Sequence, residues 1–401
     1  MLAHRSVHAQ PEEQGQARPK IGDIFRQFGP AYRENHSVTL AQYLVMRAIE
    51  TCRTPALGGH QRMCEDCGVV VDEFNSCRNR NCPNCQALAQ YKWVAGREQR
   101  VLPVRHFHVV FTMPAQLRAV VYLNREHIFA LLMRAAAQTL LELGRDPQRL
   151  GAQLGITAVL HTWTRELQFH PHVHCVVTAG GLAMEGSPRW LHISGDFLFP
   201  VRVISRLFRG KFLAGLQELY DAGKLILPLR DADSSPEVTF KTLKDKLYAM
   251  EWNVYSKAPF NGAQYVFKYL GRYTHRIAIS NQRIISFDDD GVCFATKDGA
   301  TLTLPPDEFI RRFLMHVLPY RFVKIRHYGL MASGNVNSRL EIARKLLAPS
   351  EITDKPDVAE LGWEYILLRL SGIDVRKCRA CGSSNIRCYA IPRCRAPPGI
   401  L

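Results

Sequence analysis

The sequence predicts an α+β protein whose core is an antiparallel sheet with helices packed on it. Residues 155–163 and 169–177 both have the character of strands and are separated by a short loop, a pattern typical of a two-stranded hairpin. A third strand-like run covers residues 105–114. Residues 87–100 and 115–150 instead space their apolar side chains as amphipathic helices do. This mixture indicates a core of ferredoxin-like, split βαβ character.

Composition favours a globular protein with a polyanionic partner. The chain has 401 residues, enough for two or three domains, and 47% of them are hydrophobic. The formal net charge of +16 favours nucleic acid ahead of a membrane surface. No apolar run approaches the roughly 18 residues of a membrane span. The polar first twenty residues lack the apolar core of a signal peptide, so we expect a cytoplasmic, nucleoid-associated protein.

The chain divides into four expected segments. A disordered tail covers residues 1–20. A helical lead-in covers residues 21–100 and includes a zinc-binding ribbon at 57–86. Residues 101–330 form the main domain, and residues 331–401 form a C-terminal tail.

Cysteine spacing predicts a structural zinc site near the N-terminus. Twelve cysteines in a cytosolic chain indicate metal ligands rather than disulfides. Cys64-x-x-Cys67 and Cys82-x-x-Cys85 are separated by fourteen residues, and four thiolates can close a tetrahedral Zn²⁺ site. Two further candidate ligands for this site are Cys77 and His60. The tail carries four more cysteines for which a second zinc site and free thiols are equal alternatives: Cys378, Cys381, Cys388 and Cys394.

A second candidate metal site lies in the strand at 169–177. Side chains alternate along a strand, so His172 and His174 share one face and can grip one metal ion. The alternative for such a pair is two satisfied polar residues on a half-exposed strand. His106 and His108 have the same spacing but lack the His-Pro lead-in, so we favour the later pair. The third ligand is open, with three candidates: Gln264, Gln168 and His170.

Tyrosines recur at helical spacing about a hundred residues downstream. Tyr265, Tyr269 and Tyr273 fall on one helical face. A basic row runs parallel to them: Lys268, Arg272 and Arg276. A core tyrosine stripe beside a solvated basic face would give this pattern. Combined with a metal-binding histidine pair, it also suits the transfer of a phosphodiester to tyrosine.

Several other cations are candidate DNA contacts. Arg78 and Arg80 lie within the ribbon, where phosphate contact and simple solvation are equal alternatives. Arg326 lies near the end of a segment, residues 309–328, in which basic and aromatic residues alternate without an acid. Such a segment suits single-stranded nucleic acid, or else an amphipathic element with its aromatic rings in the core.

Taken together, these motifs resemble a known enzyme family. His-hydrophobic-His followed by Tyr-x-x-x-Tyr is similar to the HUH endonucleases, specifically the two-tyrosine rolling-circle transposases of the IS91 type, which carry an N-terminal transposase zinc-binding domain. The resemblance runs from about Gln42 to Tyr328. Its supporting phrases are Leu57-Gly58-Gly59-His60, Ser76-Cys77-Arg78-Asn79-Arg80, Tyr269-Leu270-Gly271-Arg272-Tyr273-Thr274-His275-Arg276 and Ile325-Arg326-His327-Tyr328-Gly329.

The resemblance implies an HUH fold and a specific chemistry. His172 and His174 would hold Mg²⁺ or Mn²⁺, and Tyr269 and Tyr273 would be nucleophiles that form a 5′-phosphotyrosine. The partners would be single-stranded DNA ends of a mobile element and its target, which the enzyme cleaves and rejoins.

Two other functions fit the same motifs. A plasmid or phage replication initiator, or a relaxase, would use the same chemistry on a different element. A zinc-ribbon DNA-binding regulator would keep the fold without catalysis.

Overall fold

An antiparallel sheet forms the centre of the molecule. The structure is a computed structural model that describes residues 18–98, 101–228, 235–260, 278–348 and 362–394. The sheet's main path has the order β11-β4-β5-β3-β7, and β6 pairs with β5 beside it. Its strands are β3 (His106–Thr112), β4 (Ala152–Trp163), β5 (Phe169–Ala183), β6 (Trp190–His192), β7 (Val254–Phe260) and β11 (Ile325–Gly329). All the pairings are antiparallel, which confirms the predicted fold class.

Two smaller antiparallel sheets accompany it in the described residues. One has the order β12-β1-β2 and the other β10-β9-β8. The first contains β1 (Gly59–Cys64), β2 (Val70–Phe74) and β12 (Ile386–Ile391). The second contains β8 (Ile284–Phe287), β9 (Val292–Ala295) and β10 (Thr301–Leu304).

The described α-helices lie around these sheets. They are α1 (Ile21–Asn35), α2 (Leu40–Thr51), α3 (Ala87–Glu98), α4 (Arg118–Leu123), α5 (Arg125–Arg145), α6 (Val201–Asp221), α7 (Pro236–Ala249), α8 (Pro306–Met315), α9 (Arg339–Leu347) and α10 (Trp363–Ser371). None of them is long and apolar enough to cross a membrane.

The main core lies between one face of the central sheet and the helices α5 and α6. On β5, Val173, Cys175 and Val177 point into this core, and all three are fully buried. They meet the apolar stripe of α5, in which Ile128 and Leu132 are likewise inaccessible to solvent. Because successive strand residues point to opposite faces, the residues between those on β5 must line the other face of the sheet.

A second core joins segments that are distant in the sequence. Helices α1 and α2 pack with the β8–β10 sheet and α8. The rings of Phe25 and Phe313 meet edge to face at 5.2 Å, and both are fully buried. Phe313 belongs to the alternating basic and aromatic segment, so at this position the ring serves the core. The division of the chain into four consecutive segments stays a prediction, and its N-terminal tail lies largely outside the described residues.

Candidate metal centre

The pairing of β4 with β5 brings three histidines to one face of the sheet. His161 lies directly opposite His172, and Val159 lies opposite His174. Directly opposed residues in an antiparallel pair share a face, so His161, His172 and His174 point the same way. That face is the one opposite the α5–α6 core.

The three imidazole rings are close enough to share one ion. One ring nitrogen from each of the three lies within 4.8 Å of the others. The ring centroids of His161 and His174 are 4.2 Å apart, and those of His172 and His174 are 4.9 Å apart. His161 is only 3% exposed, whereas His172 and His174 are half-buried. The three rings thus offer nitrogen donors to one common point, and the most buried of the three is His161 on β4.

Hydrogen bonding determines which nitrogen of His172 is available. Its Nδ1 lies 2.7 Å from the carbonyl oxygen of His170. A carbonyl oxygen only accepts, so Nδ1 carries the proton and donates, which leaves the Nε2 lone pair for a metal. Burial lowers the pKa of His172 to about 4. The ring is therefore neutral at pH 7, as a metal ligand must be.

Burial also keeps the rings of His161 and His174 neutral. Burial, followed by the neighbouring histidines, lowers the pKa of both His161 and His174 well below the usual range. A cluster of unprotonated imidazoles in a desolvated site fits a divalent cation, because the ion supplies the positive charge that the rings themselves do not carry.

Of the other His-x-His pair, His106 and His108, only His108 contacts the three-histidine group. His108 Nε2 lies 2.8 Å from His174 Nδ1, and the two rings stack with centroids 5.0 Å apart. Because Nδ1 of His174 is engaged by His108, Nε2 is the nitrogen that His174 can offer to an ion. His106 Nδ1 donates to the carbonyl oxygen of Val104 at 2.8 Å and takes no part in the three-histidine group.

Sequence reasoning missed His161. The candidates for the third ligand were His170, Gln168 and Gln264. His170 lies outside the three-histidine group, Gln168 is exposed, and Gln264 lies outside the described residues. A signal was present, because a hairpin with a short loop must place some residue near 161 opposite His172. Only the register identifies which residue that is.

Residues near the ribbon contact the sheet face that bears the histidines. Trp93 on α3 packs against Val159 and Val176, which share that face with the histidines. Arg80 donates to the carbonyl oxygens of Pro319 and Phe322, at 3.0 and 2.7 Å. These contacts hold the chain that enters β11 against the ribbon.

Positive charge accompanies the site. Burial, followed by the Arg80 guanidinium, lowers the pKa of Lys324 to about 7. The Leu160 N–H donates to the carbonyl oxygen of Lys324 at 2.9 Å, which places Lys324 next to His161 in the sheet. On the far side, Lys257 of β7 pairs with His108, and burial, followed by the Lys257 charge, lowers the pKa of His108 to about 4.

The predicted DNA-contacting arginines have different surroundings. Arg78 is exposed, with a left-handed backbone at φ 54°. Arg80 donates to the carbonyl oxygens of Pro319 and Phe322. Contact between its side chain and a DNA phosphate stays a prediction. Arg326 stacks over Phe322 at 5.1 Å, and its pairing with Ala158 places it on the sheet face opposite the histidines. The remaining basic candidates and both predicted nucleophiles lie outside the described residues: Lys268, Arg272, Arg276, Tyr269 and Tyr273.

The structure corrects the predicted zinc ligand set. Cys64, Cys67, Cys82 and Cys85 do not form one group. Cys82 and Cys85 instead cluster with Cys77 and with Cys52, which ends α2. In each described group the ligand atoms lie within 4.8 Å of one another.

The first cysteine group contains one residue that the motif did not indicate. Cys77 was a further candidate and belongs to the group, whereas His60 is exposed on β1 and belongs to neither group. Cys52 was missed because it lies twenty-five residues before Cys77, outside any Cys-x-x-Cys pair. Four sulfur donors around one point fit a structural Zn²⁺.

The other half of the expected site joins the tail. Cys64 and Cys67 group with Cys378 and Cys381. Cys388 and Cys394, the other two cysteines of the tail, are exposed and belong to neither group. The four tail cysteines therefore do not form a metal site among themselves.

Comparison with known proteins gives two family matches. Residues 24–113 match the family described as "Transposase zinc-binding domain", and residues 155–339 match the family described as "Putative transposase". The second match includes all three clustered histidines.

Individual relatives agree with these matches. A Sinorhizobium fredii protein named "Putative transposase y4qJ" is 44% identical, covering 90% of this chain and 93% of its own. The transposase for insertion sequence element IS801 from Pseudomonas savastanoi pv. phaseolicola is 28% identical, covering 85% and 82%. A metal-bound conjugative relaxase TrwC structure in complex with DNA is 14% identical and covers 64% of this chain and 95% of its own, at a TM-score of 0.24, too low to assign a fold. With the 44% identical relative matched over nearly its whole length, the chain belongs to the IS91-type transposase family and includes that family's zinc-binding domain.

Proposed function

We propose that this transposase cleaves and rejoins single-stranded DNA through a covalent phosphotyrosine, at a metal ion held by His161, His172 and His174. The observation that carries the proposal is the convergence of three neutral imidazoles on one sheet face. One cation can engage a ring nitrogen from each of the three histidines at once.

The donor set indicates which ion to use as a probe. Mg²⁺ prefers oxygen ligands, whereas imidazole nitrogen is a common donor to transition-metal ions. Of the two ions expected from the family resemblance, Mn²⁺ therefore suits three histidines better. When bound, the ion would act as a Lewis acid that polarises the scissile phosphate.

The chain's own residues supply the rest of the chemistry. In the proposed reaction, the hydroxyl oxygen of Tyr269 or Tyr273 bonds to phosphorus and loses its proton. The bond from phosphorus to the 3′ oxygen breaks, and that oxygen leaves as a 3′-hydroxyl once it gains a proton. The 5′ end stays on the tyrosine, and attack by a 3′-hydroxyl reverses the step, so no ATP is consumed.

Positive charge around the site supports a DNA substrate. Lys324, which precedes β11, and Lys257 on β7 lie on either side of the histidine-bearing strands β4 and β5, and a pKa of about 7 leaves Lys324 partly protonated at neutral pH. The chain as a whole carries a net charge of +16. Cations placed in this way would attract and align a phosphate backbone.

The first test removes the deepest metal ligand. We expect His161→Ala to weaken Mn²⁺ binding by more than about 100-fold, since even an outer partner of a ligand is worth roughly 10- to 100-fold. Mn²⁺-dependent nicking of a single-stranded oligonucleotide from the end of the element should be lost with it. Calorimetry and a denaturing gel measure the two effects.

His170→Ala is the matched control for this test. It removes a neighbouring imidazole but keeps the backbone carbonyl that accepts from His172. We expect binding and nicking near the parent level. Loss of both in His170→Ala, with retention in His161→Ala, would show that the third ligand is misassigned.

The second test concerns the orientation of His174. His108→Phe fills the same space but removes the contact with His174 Nδ1. We expect about 10- to 100-fold weaker Mn²⁺ binding, with an unchanged circular dichroism spectrum. His106→Phe, two residues away on the same strand, should leave the affinity unchanged. Equal losses in the two variants would contradict a specific role for His108.

The third test addresses the nucleophiles. A single Phe replacement at Tyr269 or Tyr273 should still give a covalent adduct with the oligonucleotide, seen by mass spectrometry, but should abolish complete transposition, because two cleavages are needed. The double variant should give no adduct. Tyr265→Phe is the control and should behave like the parent protein. An adduct that survives the double replacement would rule out both tyrosines, and a chain that never forms an adduct would be a non-catalytic DNA-binding protein.

A further inference from the structure

The C-terminal segment, residues 362–394, forms part of the same sheet as the N-terminal ribbon, residues 57–86. Strand β12 pairs with β1 over the full length of both, from Gly59 opposite Ile391 to Cys64 opposite Ile386. Helix α10 contacts α3, the helix that directly follows the ribbon. Both elements of the segment lie beyond residues 24–113 and 155–339, the two ranges that match family models.

Two cysteine turns with the same geometry meet at one end of the β1–β12 pair, where β1 ends and β12 begins. One is Cys64-x-x-Cys67-Gly68 and the other is Cys378-x-x-Cys381-Gly382. In both, the glycine N–H donates to the first cysteine's carbonyl oxygen at 2.9 Å. In both, the glycine is left-handed, with φ of 74° and 77°. Each turn aims its two thiols at the same point.

From this geometry, we propose a second structural Zn²⁺ site formed by Cys64, Cys67, Cys378 and Cys381. The Sγ atoms of Cys64 and Cys381 are 3.6 Å apart, and those of Cys67 and Cys378 are 3.7 Å apart. Zn–S bonds of about 2.3 Å in a tetrahedron place the sulfurs roughly 3.8 Å apart. A disulfide requires about 2.05 Å, so the spacing fits a shared ion and not two crosslinks.

The surrounding contacts hold the two turns in register. Asp66, inside the first turn, accepts hydrogen bonds from Ser383 and from Asn385, and the bond from Asn385 is 3.0 Å long. The Glu65 N–H donates to the carbonyl oxygen of Asn385 at 3.0 Å. These bonds link the N-terminal turn to residues directly after the C-terminal one.

The Leu-Gly-Gly-His phrase at the start of β1 also serves this interface. Gly58 has φ of 64°, and a Cβ there would meet the carbonyl oxygen of Ile391 at 2.6 Å. A side chain at this position would push β12 away from β1. Gly58 therefore makes room for the C-terminal strand where the ribbon begins.

The consequence is that the ribbon is completed from both ends of the chain. The ion would join cysteines 311 residues apart in sequence, Cys67 and Cys378. Its loss should release β12 and leave β1 as an edge strand, while the Cys52, Cys77, Cys82 and Cys85 site persists. The C-terminal segment then acts as part of the zinc module rather than as a tail.

Zinc content of the full-length protein tests the ligand set. The parent should hold two zinc ions per chain, one for each cysteine group. The double variant Cys378→Ser, Cys381→Ser should hold one, and so should Cys64→Ser, Cys67→Ser. The control Cys388→Ser, Cys394→Ser changes two exposed cysteines of the same segment and should keep two. A parent with one zinc, or a Cys378/Cys381 variant with two, would overturn the proposal.

Thiol labelling of the parent protein gives an answer even if a variant fails to fold. Cys67 and Cys381 are exposed, as are Cys388 and Cys394. A bound ion should protect the first two from N-ethylmaleimide until a chelator is added, whereas Cys388 and Cys394 should react at once. Hydrogen exchange in β12 should rise on chelation. Immediate labelling of all four exposed cysteines in zinc-loaded protein would contradict the site.

Discussion

The register of the β4–β5 hairpin is the constraint on which the site depends. His161 opposite His172 puts three imidazoles together, and the same register puts Val173, Cys175 and Val177 into the α5–α6 core. A slip of one residue would turn every side chain of the slipped strand to the opposite face. Imidazole rings would then enter the apolar core, and the valines would leave it. Core packing and site geometry are therefore specified by the same pairing.

Burial gives those histidines their chemical character. Trp93 of α3 packs on the sheet face that carries them, and Arg80 holds the loop before β11. Removal of water from around the ring lowers the pKa of His172 to about 4, which keeps this ring neutral at pH 7. Residues 21–100 thus contribute to the environment of the histidines as well as to the cysteine sites.

Local periodicity in the sequence predicted the strands, helices and shared face of His172 and His174, because side-chain direction follows from the nearest neighbours in the chain. It could not give His161, since the β4–β5 register includes an irregularity between His161 and Trp163. Nor could Cys-x-x-Cys spacing show which pairs share an ion. Each pair forms its own turn. The pairing of β12 with β1 is what brings Cys378 and Cys381 to Cys64 and Cys67.

The most direct measurement is the position of the ion itself. Crystals of the full-length protein grown with Mn²⁺, with diffraction recorded near the manganese absorption edge, would show the ion as an anomalous peak. We expect one strong peak bonded to His172 Nε2 and to one nitrogen each of His161 and His174, with His108 contacting His174 and not the ion. A peak bonded to His106 and His108, or no peak at the three histidines in Mn²⁺-saturated protein, would contradict the account.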